Sequence, residues 1–365
     1  MNQLRVPFVD LRIQHARIAD VVAQGFEEVL AETSFILGPQ VDRFEREFAD
    51  YCGVSDSVGV GNGTDAIELA LRGVGVGPGD EVVLPANTFV ATAEAVARVG
   101  ADVVLCDVTD DHLIDPEQVA GLVTERTRAV IGVDLYGQVA PFERLREVVP
   151  DGVVLIEDAA QSQGATRFGA RSGSVADVAA TSFYPGKNLG AYGDGGAVMT
   201  DDADVAARIR QLRNHGGVAR YEHNFVGLNS RLDSLQAVVL SAKLAVLDLW
   251  NKERQQAADR YADLLTGTGL ELPRVAEGNE HVWHLFVVQT DDRPELQAAL
   301  DRAGVANGIH YPAPVHQVPA FAHLGHVAGD FPVVDKSAAR ILSLPIFPGI
   351  TPEQQERVAA AIKEG

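Results

Sequence analysis

The sequence is short of the features that mark secreted, metal-binding and membrane proteins. Its 365 residues include two cysteines, Cys52 and Cys106, and their spacing fits neither a metal-binding motif nor a disulfide framework. Residues 1–7 lack the apolar segment of a signal peptide. No apolar run approaches the roughly 20 residues needed to cross a bilayer. We therefore expect a cytoplasmic protein with no metal site and no contact with a membrane.

Basic residues are also scarce, since 30 lysines and arginines face 51 acidic residues and the formal net charge is −21. Binding to nucleic acid requires a basic surface, so this charge excludes nucleic acid as a partner. One stretch departs from the average, because Glu222 is the only acidic residue from 209 to 232. This stretch is either a solvated helix face or an anion-binding rim. Its basic residues are Arg208, Arg210, Arg213, His215, Arg220, His223 and Arg231.

Short apolar runs alternate with helical patterns over much of the chain. The runs predict strands at 81–84, 102–106, 129–133, 153–156, 178–182 and 197–200, and the patterns predict helices at 42–49, 65–72, 92–99, 116–122 and 141–148. Such alternation is typical of an α/β domain with a mainly parallel sheet. A long helical pattern follows from Leu232 to about Leu265. We predict a large domain over residues 1–245 and a smaller C-terminal α+β domain over residues 246–365.

Lys187 is not placed like a lysine that serves solubility. It lies between a Pro-Gly turn and a run of glycines, in the segment SFYPGKNLGAYGDGG at 182–196. Glycine admits positive φ and leaves room for a ligand to approach the backbone. Lysine forms Schiff bases with carbonyl compounds once burial or neighbouring groups lower its pKa. Lys187 is therefore a candidate catalytic residue.

A second glycine-rich turn, VGVGNGTD at 58–65, opens a predicted helix. Backbone N–H groups at a helix N-terminus bind phosphate, and the hydroxyl of Thr64 adds a donor beside Gly63. The pattern is G-x-G-x-G instead of the G-x-G-x-x-G of dinucleotide sites, which disfavours a Rossmann dehydrogenase. The segment around Lys187 does not match a Walker A loop either, because Asn188 follows Gly186-Lys187 where that motif has serine or threonine. We predict a phosphate site at Gly63 and Thr64.

The predicted strand at 153–156 delivers Glu157-Asp158-Ala159-Ala160-Gln161 at its carboxyl end, where α/β sheets bind ligands. Taken alone, Asp158 is better explained as the cap of the next helix than as a ligand-binding residue. Together with a Schiff-base lysine, it can hold a pyridine nitrogen protonated, which makes the ring an electron sink. Gln161 can donate to a ring oxygen, Ser182 can bind phosphate, and Phe89 fits ring stacking and core packing equally well. The combination predicts a pyridoxal phosphate site.

At these residues the chain resembles the DegT/DnrJ/EryC1/StrS family of sugar aminotransferases, over nearly its whole length. The motifs that carry the resemblance are PFVDL at 7–11, ILGP at 36–39, GNGTDA at 61–66, EDAAQ at 157–161, the segment 182–196, NSRLD at 229–233 and IHYP at 309–312. The family implies a fold-type I aminotransferase that works as a homodimer with active sites shared across the interface.

The resemblance also implies roles for individual residues. Lys187 matches the lysine that binds the cofactor, Asp158 the pyridinium partner and Gln161 the contact to the ring hydroxyl. The matching phosphate ligands are Gly63, Thr64 and Ser182, together with Asn229, which resembles a residue that reaches the phosphate from the partner subunit. We expect the substrate contacts to be Tyr184, Arg220, Tyr221, His310 and Tyr311.

The identity of the catalytic residue selects the reaction. Family members that dehydrate sugars carry histidine where this chain has Lys187, so the resemblance implies transamination from L-glutamate to a nucleotide-linked keto-deoxysugar. The segments 183–190, 229–233 and 282–286 are most similar to members that aminate C3 of dTDP-3-keto-6-deoxyhexoses, in the synthesis of amino sugars such as those of antibiotics. Thr64 departs from them, since several carry leucine there. The alternatives are amination at C4 and a non-catalytic regulator that retains the fold.

Overall fold

A computed structural model describes residues 5–219 and 221–364, so the predicted substrate contact Arg220 lies outside the described residues. The helices are α1 (Leu11–Glu32), α2 (Pro39–Cys52), α3 (Gly63–Gly73), α4 (Val90–Val99), α5 (Pro116–Leu122), α6 (Phe142–Val148), α7 (Ala203–Leu212), α8 (Ser234–Leu244), α9 (Leu247–Leu264), α10 (Arg293–Arg302), α11 (Pro332–Arg340) and α12 (Pro352–Glu364).

The six predicted apolar runs all form strands, with bounds within two residues, and further strands occur beside them. They are β1 (Asp56–Val60), β2 (Glu81–Pro85), β3 (Asp102–Cys106), β4 (Thr127–Val133), β5 (Val154–Asp158), β6 (Thr166–Arg167), β7 (Ala170–Arg171), β8 (Val178–Ser182), β9 (Gly196–Thr200), β10 (Gly217–Ala219), β11 (Glu222–His223), β12 (Asn279–Glu280), β13 (Phe286–Gln289) and β14 (Ile341–Leu344).

Seven strands form the central sheet in the order β1-β9-β8-β5-β4-β2-β3. The pairs β8–β5, β5–β4, β4–β2 and β2–β3 are parallel, whereas β9 runs antiparallel to both of its neighbours. Helices cover the sheet, and β2, which has a parallel strand on each side, is buried along its whole length, as is usual for parallel sheets. The mainly parallel sheet expected from the sequence is thereby observed.

The topology gathers several loops at one edge of this sheet. Strand β5 ends at Asp158, β8 ends at Ser182, and β1 leads through Gly61 and Asn62 into α3. Because these strands run in one direction, their carboxyl ends meet at the same edge, where such sheets bind ligands.

The helices α1, α7, α11 and α12 were not predicted, and one predicted helix is broken. Helix α1 lays a narrow buried stripe of Ile18, Val22 and Gly25 against α8. A Cβ atom at Gly25 would lie 2.5 Å from Val238, so glycine permits this close helix contact. The long helix predicted from Leu232 is broken between α8 and α9. Helix α8 and the first residue of α9 pack in one apolar cluster, whereas Ala257, Ala258 and Tyr261 of α9 join the C-terminal cluster.

A separate apolar cluster joins α9, α10 and α12 to β13 and β14 near the C-terminus. This agrees with a smaller α+β unit, although the boundary at residue 245 stays a prediction. Within the described residues, no helix is long and apolar enough to cross a membrane.

Two arginines of the basic stretch have structural partners within the fold. Arg213 is only 6% exposed, and its guanidinium donates to Glu45 on α2 and to the carbonyl oxygen of Gly59 on β1. Arg210 pairs with Asp56 at 2.6 Å. These two arginines therefore fasten α2 and α7 to the edge strand β1, so for Arg213 a solvated face and an anion-binding rim are both wrong.

Candidate active site

A cavity of about 720 Å³ opens at the carboxyl edge of the sheet, which is the size of a small-molecule site. Most of the residues predicted for cofactor and substrate line it. They are Gly63, Thr64, Phe89, Asp158, Gln161, Ser182, Tyr184, Lys187, His310 and Tyr311. Residues up to 248 positions apart in sequence are thus brought to one cavity by the strand order.

Two predicted residues lie elsewhere. Asn229 is exposed and forms an isolated bridge with Asn214, and Tyr221 is 81% exposed in the turn between β10 and β11. Neither side chain lines the cavity. One chain therefore does not bring Asn229 and Tyr221 to the other candidate residues.

Asp158 occupies the last position of β5 with its carboxylate in the cavity wall. It accepts a hydrogen bond of 2.8 Å from the hydroxyl of Thr92 and one of 3.2 Å from the backbone N–H of Ala160. Burial raises the pKa of Asp158, against the opposing effects of the Thr92 hydrogen bond and the charge of Lys187. Among the described residues no cation lies within ion-pair distance of this carboxylate, so its preferred partner is a cationic group of a ligand.

Lys187 lies in the loop after β8, where its backbone N–H donates to the carbonyl oxygen of Tyr184. Burial lowers the pKa of Lys187 to about 8, although the charge of Asp158 acts in the opposite direction. A lysine with this pKa is about one-tenth free amine at pH 7, far more than a lysine of ordinary pKa. The amine is the form that attacks a carbonyl carbon.

The start of α3 forms an anion-binding turn in the cavity wall. The side chain of Asn62 caps this helix by accepting from the backbone N–H of Asp65 at 2.8 Å, and the next residues, Gly63 and Thr64, face the cavity. A Cβ atom on Gly63 would lie 2.5 Å from that of Ser182. Glycine is needed here because β8 passes so close to the helix terminus. The free N–H groups and the two hydroxyls suit a phosphate.

Gln161 has one orientation that its partners define. Its side-chain oxygen accepts from the backbone N–H of Tyr136 at 2.7 Å, and its amide nitrogen donates to the hydroxyl of Tyr311 at 3.1 Å. The Tyr311 ring lies 5.1 Å from that of Phe89. Phe89 is 49% exposed, which excludes the core-packing alternative and leaves its ring at the cavity.

His310 occupies the opposite wall of the cavity. Its Nδ1 atom lies 2.8 Å from the hydroxyl of Ser343, and its ring stacks on Phe8 at 5.6 Å. Burial lowers the pKa of His310 to about 4. The imidazole is therefore neutral at physiological pH.

The sequence did not single out Thr88, Thr92 or Arg254, which also line the cavity. The hydroxyl of Thr88 lies 2.7 Å from that of Thr92, which in turn donates to Asp158. The spacing of four residues at the start of α4 was the only signal for this pair. No sequence pattern marked Arg254, because the carbonyl oxygens to which it donates belong to turns far along the chain.

The described residues fit pyridoxal phosphate. An anion-binding turn, a buried carboxylate without a cation, and a lysine of lowered pKa all face one cavity. These match the phosphate, the pyridine nitrogen and the aldehyde of that cofactor.

Comparison with protein families decides the classification. The model of the DegT/DnrJ/EryC1/StrS aminotransferase family matches residues 17–363. This chain belongs to that family. A relative from Streptomyces venezuelae, dTDP-3-amino-3,4,6-trideoxy-alpha-D-glucose transaminase, is 45% identical over 99% of this chain and 96% of its own length.

Solved structures of this aminotransferase family agree with the fold. DesV of S. venezuelae, in complex with a ketimine intermediate, superimposes with a TM-score of 0.96 at 45% identity and covers 99% of this chain and 98% of its own. NtdA of Bacillus subtilis, with bound cofactor PMP, gives a TM-score of 0.90 at 31% identity over 99% and 85% of the two chains. The predicted family and the predicted aminotransferase fold are confirmed.

Proposed function

We propose that this sugar aminotransferase uses pyridoxal phosphate to move an amino group from L-glutamate to C3 of a dTDP-linked 3-keto-6-deoxyhexose. The observation that carries the proposal is the placement of Lys187 and Asp158 in one cavity beside the anion-binding turn at Gly63 and Thr64. A dehydratase needs another residue in place of the lysine. A non-catalytic regulator has no need for a buried carboxylate aimed into an open cavity.

Each residue has a defined task in this proposal. Pyridoxal phosphate, when bound, supplies the electron sink that lets a proton leave the carbon next to nitrogen. Asp158 holds a proton on the pyridine nitrogen by its negative charge. Lys187 would bind the cofactor and, as a free amine, would take the proton from the substrate carbon next to nitrogen and deliver it to the carbon on the other side of that nitrogen.

The remaining contacts bind and orient the cofactor. The backbone at Gly63 and the hydroxyls of Thr64 and Ser182 bind its phosphate, Gln161 donates to the ring hydroxyl, and Phe89 covers a ring face. Tyr184, His310 and Tyr311 stand at the cavity and contact the sugar nucleotide.

The choice of dTDP and of C3 rests on relatives. The S. venezuelae transaminase, at 45% identity over nearly equal lengths, is named for a 3-amino dTDP-sugar. The direct test presents the purified enzyme with dTDP-linked 3-keto and 4-keto sugars and locates the new amine by NMR. An amine at C4 would overturn the C3 assignment and leave the aminotransferase assignment intact.

We further propose a homodimer in which Asn229 reaches the phosphate bound by the partner subunit. The support is the location of Asn229 and Tyr221 outside the cavity of their own chain, next to exposed Val226, which is 88% accessible. Light scattering tests the assembly. A mixture of Asn229→Ala and Lys187→Ala subunits tests the sharing, since mixed dimers then contain one site that carries both defects and one intact site.

Replacement of Lys187 by alanine tests the chemistry. We expect Lys187→Ala to abolish turnover and the visible absorbance of the loaded enzyme, while Lys252→Ala, an exposed lysine outside the cavity, changes neither. A Lys187→Ala protein that kept both properties would remove the basis of the proposal.

A further inference from the structure

His284 lines the same cavity and has no task in the reaction described above. The residue is partly exposed. Its Nε2 atom has no hydrogen-bond partner among the described residues and is not fully buried, so it is accessible from the cavity. Among the described residues, the one hydrogen bond of the His284 side chain is made by the other ring nitrogen, Nδ1, which lies 3.1 Å from the side-chain oxygen of Asn188.

The hydrogen bonds around Asn188 determine which nitrogen of His284 carries the proton. The amide nitrogen of Asn251 donates to the carbonyl oxygen of Gln163 at 2.9 Å, so the side-chain oxygen of Asn251 faces Asn188. The amide nitrogen of Asn188 donates to that oxygen at 2.9 Å and to the carbonyl oxygen of Val282 at 3.0 Å. Only the oxygen of Asn188 is left for His284.

An amide oxygen can only accept, so Nδ1 of His284 must be the protonated nitrogen. Nε2 then carries a lone pair toward the cavity. The pKa of His284 is held well below its ordinary value by burial and by the charges of Lys187 and Arg254. The ring is therefore neutral at physiological pH and offers the cavity a single hydrogen-bond acceptor.

The turn that carries His284 is fixed in place. Arg254 donates to the carbonyl oxygen of Trp283 at 3.0 Å, and the backbone N–H groups of Val282 and Leu285 donate to the carbonyl oxygens of Gly137 and Tyr136. A side chain on a turn held in this way is pre-organised for one contact.

Glutamate and the keto sugar are the substrates of the two half-reactions of the proposed transamination. They differ in whether they carry a hydrogen-bond donor for Nε2 of His284. Phosphate and carboxylate oxygens only accept, so neither the cofactor phosphate nor the two carboxylates of glutamate can bind to Nε2. The one amino group of glutamate is consumed at the reacting carbon. A sugar carries hydroxyl groups, each of which can donate.

We propose that His284 is a specificity residue for the sugar half-reaction, in which Nε2 accepts a hydrogen bond from a hydroxyl of the hexose. This inference rests on the proposed function and adds a residue that separates the two substrates. Asn188, next to Lys187, is the positioning residue that sets the tautomer.

The test follows the two half-reactions of the holoenzyme separately by absorbance. His284→Phe keeps a ring without an acceptor, and His284→Gln keeps an acceptor oxygen. We expect His284→Phe to raise the KM for the dTDP-linked 3-keto-6-deoxyhexose roughly tenfold to thirtyfold, the effect of one lost hydrogen bond. The glutamate half-reaction should stay within about twofold, and His284→Gln should recover most of the loss.

Equal slowing of both half-reactions, or an unchanged sugar KM in His284→Phe, would overturn the inference alone. A wild-type enzyme that glutamate does not convert would overturn the proposed function itself. Histidine ¹⁵N NMR of the wild-type holoenzyme gives a second measurement that needs no folded variant. It should show the Nδ1-protonated tautomer, with an Nε2 signal that shifts on addition of the amino-sugar product and not of glutamate; the other tautomer would contradict the inference.

Discussion

Glu157 and Asp158 are adjacent carboxylates on β5 with opposite surroundings. Asp158 faces the cavity, within the influence of Lys187 and a hydrogen bond from Thr92. Glu157 points to the other face, where it accepts from the backbone N–H of Gly173 at 2.8 Å. Its second oxygen has no donor in the described part of the chain unless the facing carboxyl of Asp134 is protonated.

Within that pair, Asp134 binds a proton more readily than Glu157 does. Burial and the negative charge of Glu157 raise the pKa of Asp134 well above its ordinary value, and a hydrogen bond from Asp134 opposes the rise at Glu157. A proton shared between two buried carboxyl groups removes the cost of a second buried charge. The comparison shows that β5 presents one carboxylate to the cavity and the neighbouring carboxylate to a buried carboxyl group on the opposite face.

The largest expected effect comes from removing the charge on the cavity face. Asp158→Asn preserves the shape and loses the charge that keeps the pyridine nitrogen protonated. We expect turnover to fall on the order of 10²–10³-fold, as for other lost electrostatic contacts, with a shifted absorbance maximum of the loaded enzyme. Glu157→Gln is the matched control on the opposite face, and a similar loss of turnover in both variants would contradict the distinction.

A smaller effect is expected from Thr92, which acts through Asp158. The Thr92 hydrogen bond lowers the pKa of Asp158, so Thr92→Val raises that pKa further. The ionised form is the active one, hence the acid limb of the pH profile of kcat/KM should move to higher pH, with turnover near neutral pH reduced about tenfold. Thr92→Ser should restore the wild-type profile; a Thr92→Val profile with an unmoved acid limb would exclude this role.

The smallest effect on activity is expected at Asp134. Its folded-state pKa is raised above the ordinary value of 3.8, so the folded protein binds more protons and loses stability as pH rises above that value toward the folded-state pKa. Asp134→Asn remains neutral and should show a flatter dependence of unfolding free energy on pH, with turnover within about twofold of wild type. Urea unfolding at several pH values measures this, and a slope equal to that of the wild type would argue against a protonated Asp134.

The parts of the fold and of the candidate site that depend on a short continuous segment of the chain could be predicted from the sequence. Strand β8 and the loop to Lys187 form one such segment, and β5 with Asp158 and Gln161 forms another. Both could be recognised because an apolar run followed by polar residues marks the carboxyl end of a buried strand. Helix α1 was missed because its buried stripe is narrow. The break between α8 and α9 was missed because residues 244–248 contain neither glycine nor proline to mark it.

The amino-acid sequence by itself determined the α/β class and the family, through short motifs spread along the chain, and it marked Lys187, Asp158 and the anion-binding turn as candidates. Each of these motifs depends on neighbours within a few positions. Tertiary structure alone decided which residues meet. It buried Arg213 against Glu45, 168 positions away, gave Asp158 and Glu157 different partners, and linked Gln163, Asn251 and Asn188 to set the tautomer of His284. Such contacts depend on the packing of segments that are distant in sequence, so they cannot be predicted from a local sequence pattern.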